Sequence, residues 1–173
     1  MAKTKSSLGL KKIEIADVPA TGLPTSWTEL KATKIGTAVL TEEDDNITNI
    51  FIEQSDEVYR TITTERGATT FAFEMYEITA ANLAKLKGGT ATTETGSVGA
   101  TWDKSVNSVE LFQSVRITTL DDYQVIIPNG NVKARITWTM TKEDLATVSI
   151  TITVNTPLDE TLPPLRVIEP LSV

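Results

Sequence analysis

The chain contains no cysteine and no histidine. Without cysteine there are no disulfides and no thiol chemistry, a pattern compatible with a reducing cytoplasm. Without histidine, the usual general base and the commonest zinc ligand are missing. Aromatic residues are few, at 6%. No apolar run approaches the length that spans a membrane. The opening residues, MAKTKSSLGLKK, are basic but lead into no apolar core, so they do not read as a secretion signal. The sequon Asn46-Ile47-Thr48 is accordingly read as fortuitous. No basic patch interleaved with aromatics is present to hold nucleic acid.

What is present points to a β protein. Over 173 residues, 40% are hydrophobic, enough for one domain with a real core. Threonine is abundant and falls mainly at the outward positions of alternating segments, where a β-branched side chain that tolerates water fits best. The net charge of −7 is segregated. Thr41–Arg60 holds Glu42, Glu43, Asp44, Asp45, Glu53, Asp56 and Glu57 against the single base Arg60, and the remainder of the chain is nearly neutral.

Val58–Gly89 reads as strand, turn, strand, helix. Val58–Thr64 alternates, Glu65-Arg66-Gly67 breaks the run with a glycine free to take a positive φ, and Thr69–Glu77 alternates with Phe71, Phe73 and Met75 on one face. A helix over residues 80–87 is predicted. Thr79 supplies its N-cap, Lys85 and Lys87 favour its C-terminal end, and Gly88 closes it. So short a helix needs Leu83 and Leu86 laid on a sheet.

Elsewhere, Lys11–Ala16, Ile35–Thr41, Leu111–Leu120 and Tyr123–Ile127 read as strands. Pro128-Asn129-Gly130 reads as a turn. Asn131–Met140 follows as a strand with Val132, Ala134, Ile136, Trp138 and Met140 facing the core. Thr147–Asn155 repeats the pattern with Val148, Ile150, Ile152 and Val154. Gly89–Gly99 reads as a Thr/Gly linker without phosphate-loop spacing. The segment from Thr156 is proline-rich and reads as an extended arm. The expectation is one domain, residues 1–173: an antiparallel β-sandwich or barrel of about eight strands with one short helix. An N-terminal arm (1–20), an acidic loop or arm (42–57) and a C-terminal arm (156–173) flank or interrupt it.

Catalysis finds little support. Asp44-Asp45-Asn46-Ile47-Thr48-Asn49 puts Asn where a calcium loop needs Gly. Asp121 and Asp122 are adjacent and point apart, which suits a turn better than paired acid–base work. No serine has a histidine to activate it. Neither an enzymatic role nor a metal or other cofactor is expected. The acidic stretch contains Ile47, Ile50, Phe51 and Ile52. It reads either as a solvated loop folded back on its own domain or as an arm that docks elsewhere.

Taken in order, these features resemble the major tail tube proteins of long-tailed bacteriophages. The features are Trp27-Thr28-Glu29-Leu30 before the first long strand, the acidic Thr41-Glu42-Glu43-Asp44, the Thr-rich strand pair, and the helix Ala80–Leu86 with Gly88-Gly89. Trp102, Val125-Ile126-Ile127-Pro128, Val132 and the paired strands closing at Leu158 complete the series. The resemblance runs from about Pro19 to Pro157. It implies a structural virion protein, made in the host bacterial cytoplasm, that forms homo-hexameric rings stacked into a tail tube. DNA would pass through the lumen without specific binding, and tape-measure and tail-terminator or tail-tip proteins would be partners, with no membrane involved. It also implies that the acidic segment is an assembly arm carrying Glu42, Glu43, Asp44, Asp45, Ile50, Phe51, Ile52, Glu53, Asp56 and Glu57. Thr37, Thr61, Thr63, Thr137 and Thr139 become candidates for the lumen surface. Secretion-system tube proteins share the fold and are one alternative. A monomeric binding module, for instance for carbohydrate, is the other; it would need its tryptophans clustered.

Overall fold

Segments that alternate with one apolar face build the body of the protein, seen in a computed structural model that describes residues 6–171. Residues 1–5 and 172–173, part of the two expected terminal arms, lie outside the described residues. In chain order the strands are β1 (Lys12–Asp17), β2 (Thr28–Leu30), β3 (Val39–Glu42), β4 (Asn46–Ile52), β5 (Ser55–Glu65) and β6 (Thr69–Met75). Helix α1 (Ala80–Lys87) follows. Then come β7 (Thr90–Thr92), β8 (Thr101–Asp103), β9 (Leu111–Thr118), β10 (Gln124–Thr137), β11 (Thr147–Val154) and β12 (Arg166–Ile168).

The main sheet is antiparallel throughout, in the order β2-β1-β9-β10-β11-β6-β3, with β12 against the first part of β10. It curls until its ends meet. Ala32, with φ +57°, turns the chain out of β2. The next residues then reach the far edge of β6, where Lys34 N donates to Glu74 O (2.7 Å) and Tyr76 N donates to Ala32 O (3.0 Å). This closure gives a barrel and removes most of the exposed edge an open sheet would carry.

Alternation fills the interior. Ile13 and Ile15 of β1, Phe71, Phe73 and Met75 of β6, Val115 of β9, and Val148, Ile150 and Ile152 of β11 are all buried. Register places Phe71 opposite Ile152, Phe73 opposite Ile150 and Met75 opposite Val148, so large side chains meet across the ladder. The Phe71 and Phe73 rings lie 5.1 Å apart, tilted by 32°. Helix α1 runs over the predicted residues. Thr79 Oγ1 accepts from Asn82 N at 3.2 Å, and Gly88, at φ +74°, ends the helix by donating to Ala84 O. Leu83 and Leu86 are buried and join the barrel core.

Several expectations change. Val58–Glu65 does not pair with Thr69–Met75; its partner is β4, in a separate two-stranded sheet. Neither face of that segment is wholly apolar, so burying it in the barrel would strand polar groups. Pro128-Asn129-Gly130 is not a hairpin turn. One strand, β10, continues through it with a register shift between Ile127 and Gly130. The bulge accommodates a proline that cannot donate to a ladder. Ser114 Oγ donates to Pro128 O (2.6 Å) and Asn129 Nδ2 to Thr156 O (2.7 Å), which fixes its shape. Trp138 and Met140 lie beyond the end of β10 and are exposed, not in the core.

The terminal arms contribute to the sheet. Residues 12–17 form β1, an inner strand, and residues 166–168 form β12, paired with Gln124–Ile126. The Thr/Gly linker begins with β7, which pairs with β8 just beyond it in a small hairpin, where Trp102 Nε1 donates to Gly88 O at 2.8 Å.

Candidate functional site

The feature that stands apart from the barrel is the β4–β5 hairpin. It leaves the main sheet where Glu42 pairs with Thr69. The ladder runs one step further, with Glu43 N donating to Ala68 O at 2.9 Å. Gly67 sits tight against the outgoing strand, and its N–H donates to Asp45 Oδ1 at 2.7 Å. A Cβ at this position would lie 1.8 Å from Glu43 O, so glycine is required here by backbone approach; its φ is not positive.

Beyond this base, every residue of β4 and β5 is exposed. Register sets the faces. Ile50 lies opposite Arg60 and Thr48 opposite Ile62; Ile47 lies opposite Thr63 and Asn49 opposite Thr61. Alternation along β5 adds Val58 to the first face and Tyr59 to the second. Both faces mix aliphatic or aromatic groups with polar ones. Local hydrogen bonds hold the ladder in register: Thr61 Oγ1 to Asn49 Oδ1 (2.9 Å), Asn46 Nδ2 to Glu65 Oε2 (3.1 Å) and Thr64 Oγ1 to Asn46 O (3.0 Å). At the tip, Phe51 is 59% exposed beside Ile52, Glu53 and Asp56.

Charge is concentrated here. Residues 43–67 carry seven acids against Arg60 and Arg66, five of the chain's seven net negative charges. Among the described residues none of these acids forms an ion pair. The outer hydrogen-bonding edges of both strands are also open, as no described strand flanks the two-stranded sheet. An element with exposed apolar side chains, carboxylates outside any ion pair and two open edges is suited to binding protein.

The structure therefore distributes the predicted arm residues. Glu42 lies in β3, on the barrel. Glu43, Asp44 and Asp45 form the base, while Ile50, Phe51 and Ile52 lie in β4. Glu53 lies in the tip, and Asp56 and Glu57 open β5. The other half of the same element, including Val58, Tyr59, Arg60 and Ile62, is the segment whose alternation points to the main sheet. The contrary signal in the sequence is the mixed character of both its faces.

Other candidates disperse. Among the described residues no three acidic side chains are grouped to hold a metal ion. The three tryptophans form no platform. Trp27 lies under the Arg116 guanidinium, 4.7 Å from its ring centre, Trp102 is tied to Gly88, and Trp138 stands alone at 61% exposure. Thr37 is not a free outward hydroxyl: its Oγ1 donates to Lys34 O (2.7 Å) and accepts from Glu74 N (3.0 Å).

Comparison with known proteins adds the family. No curated protein matches the sequence. A family model described as phage tail tube protein matches residues 6–165, which takes in the helix, the hairpin and every strand of the barrel except β12. The chain belongs to the phage tail tube protein family.

Proposed function

We propose that the chain assembles into hexameric rings, that these stack into the tube of the tail, and that DNA leaves the particle through the bore. The observation that supports this reading is the β4–β5 hairpin, exposed along its whole length. A two-stranded hairpin alone is marginal in water, and one with apolar groups on both faces gains stability only by being covered. A neighbouring subunit that covers it turns an isolated barrel into a polymer. The assembly arm on this reading is Asn46–Glu65 together with its acidic base, longer than residues 42–57. Subunits would meet head to tail, the geometry that builds rings and stacks.

The role is mechanical and involves no bond-making step. A protein with net charge −7 repels phosphates, so DNA slides past without being held. Thr137 and Thr139 remain candidates for the lumen surface. Tape-measure and terminator or tip proteins would contact the tube along its bore and at its ends.

Negative-stain electron microscopy of the purified protein, across a wide range of concentration and salt, tests the reading. Rings or tubes of uniform diameter are expected. A protein that stays monomeric throughout would refute it.

A further inference from the structure

One end of the barrel is open. A groove of about 720 Å³ runs between the segment before β1, the segment leading into β3, and the turn after β9. Phe71 and Ile117, both core residues, reach its floor, and Leu10, Leu40, Leu120 and Val125 form its walls. At its rim Ile35 is 97% exposed in a turn. Nothing in the fold of one subunit requires an isoleucine there. The hairpin of the same chain does not fill this groove, because all of its strand residues are exposed.

We infer that this groove receives the tip of the β4–β5 hairpin of a second copy, with Phe51 and Ile52 seated on the apolar wall beside Leu40 and Leu120. The inference rests on the assembly reading above and names the surface that completes the contact. Chemistry selects the occupant. Among the described residues lining the groove, Lys34 is the one that carries a charge, and none is an acid. Its ammonium already lies 3.1 Å from Glu74 Oε2 and has further N–H groups to donate. The tip brings Glu53, Asp56 and Glu57 around its apolar residues. The chain's own first residues are the competing occupant, but Lys3 and Lys5 would bring like charge to Lys34. The hairpin thus offers apolar side chains to the groove wall and carboxylates to the Lys34 ammonium, which it would share with Glu74.

The absence of cysteine makes a direct test available. Phe51→Cys and Leu120→Cys proteins are prepared separately, mixed, allowed to assemble and oxidised with copper-phenanthroline in air. A covalent two-chain species should form in the mixture, several-fold above either variant alone. Ile52→Cys repeats the experiment should Phe51→Cys fail to assemble. Tubes that form without this cross-link, while Phe51→Cys links to Arg135→Cys on the outer face of β10, would overturn the groove assignment and leave the tube reading standing. A cross-link from Leu120→Cys to Ala2→Cys in its place would give the groove to the N-terminal residues and also overturn it. Wild-type protein that never assembles overturns both readings.

Discussion

Glu42 and Thr69 are direct partners at the end of the β3–β6 ladder, and the whole hairpin leaves and re-enters the barrel between them. The arm is therefore an insertion at one edge of a closed body. Its removal need not disturb the register of β3 on β6.

Excising Asn46–Glu65, so that Asp45 joins Arg66, should leave a folded barrel. The remaining Asp44-Asp45-Arg66-Gly67 is short enough to turn between Glu43 and Ala68, which already pair. Because the deleted strands bury no side chain within the subunit, stability should change by less than about 1 kcal/mol. Urea unfolding followed by circular dichroism measures that, and micrographs should show no tubes. Tubes of wild-type appearance from this deletion would contradict the role given to the arm.

Gly67→Ala should be costly where Gly99→Ala is not. At Gly67 the added methyl would collide with the Glu43 carbonyl, and neither backbone can yield without distorting the hairpin base. At Gly99 there is nothing within 4 Å. A loss of about 1–3 kcal/mol is expected for the first and under about 0.5 kcal/mol for the second. Equal midpoints for the two variants in urea would show that the base is not tightly held.

Acid should remove a specific contribution through Glu14. Its carboxylate accepts from Arg116 Nε at 2.7 Å and lies 3.0 Å from Lys12 Nζ. The Arg116 hydrogen bond holds its pKa below the usual 4.5; burial opposes the shift and Lys12 reinforces it. Since the folded value is depressed, the stabilisation is complete above pH 4.5 and is lost as pH falls through the lower folded value. Glu14→Gln should cost about 2 kcal/mol at neutral pH. The stability curves of the two proteins should converge in acid. Parallel curves across the whole range would rule out this ion pair as the cause.

Leu86→Ala tests whether the helix is part of the barrel core. Leu86 is almost wholly buried, so the cavity and lost contacts should cost about 2–5 kcal/mol. Thermal unfolding by calorimetry reads the change. A loss below roughly 1 kcal/mol would mean that the helix site collapses around the smaller residue.

Much of this fold was legible because the signals are local. Phe71, Phe73 and Met75 recur at period two, as do Val148, Ile150 and Ile152, and both sets are buried. Thr79 and Gly88 bracket the helix, and their caps form as expected. Where reading failed, a local signal met a distant partner. Pro128-Asn129-Gly130 has turn chemistry, yet Ser114 and Thr156 hold it as a bulge within one strand. Glu65-Arg66-Gly67 resembles a hairpin turn, yet β5 folds back on β4 while β6 takes β11 and β3 as neighbours.

Composition, periodicity and charge segregation established a β protein with one short helix and an acidic segment carrying hydrophobes. Those properties are carried by neighbouring residues and survive without knowledge of the fold. Pairing is different. Which strands meet, where the barrel closes and which end stays open depend on contacts such as Lys34 with Glu74 and Glu14 with Arg116, which join residues far apart in the chain. Hydrogen-bonding edges look alike in every alternating strand, so only the competition among faces for burial chooses between them. That competition excluded the mixed-faced β5 from the barrel and left it, with β4, exposed.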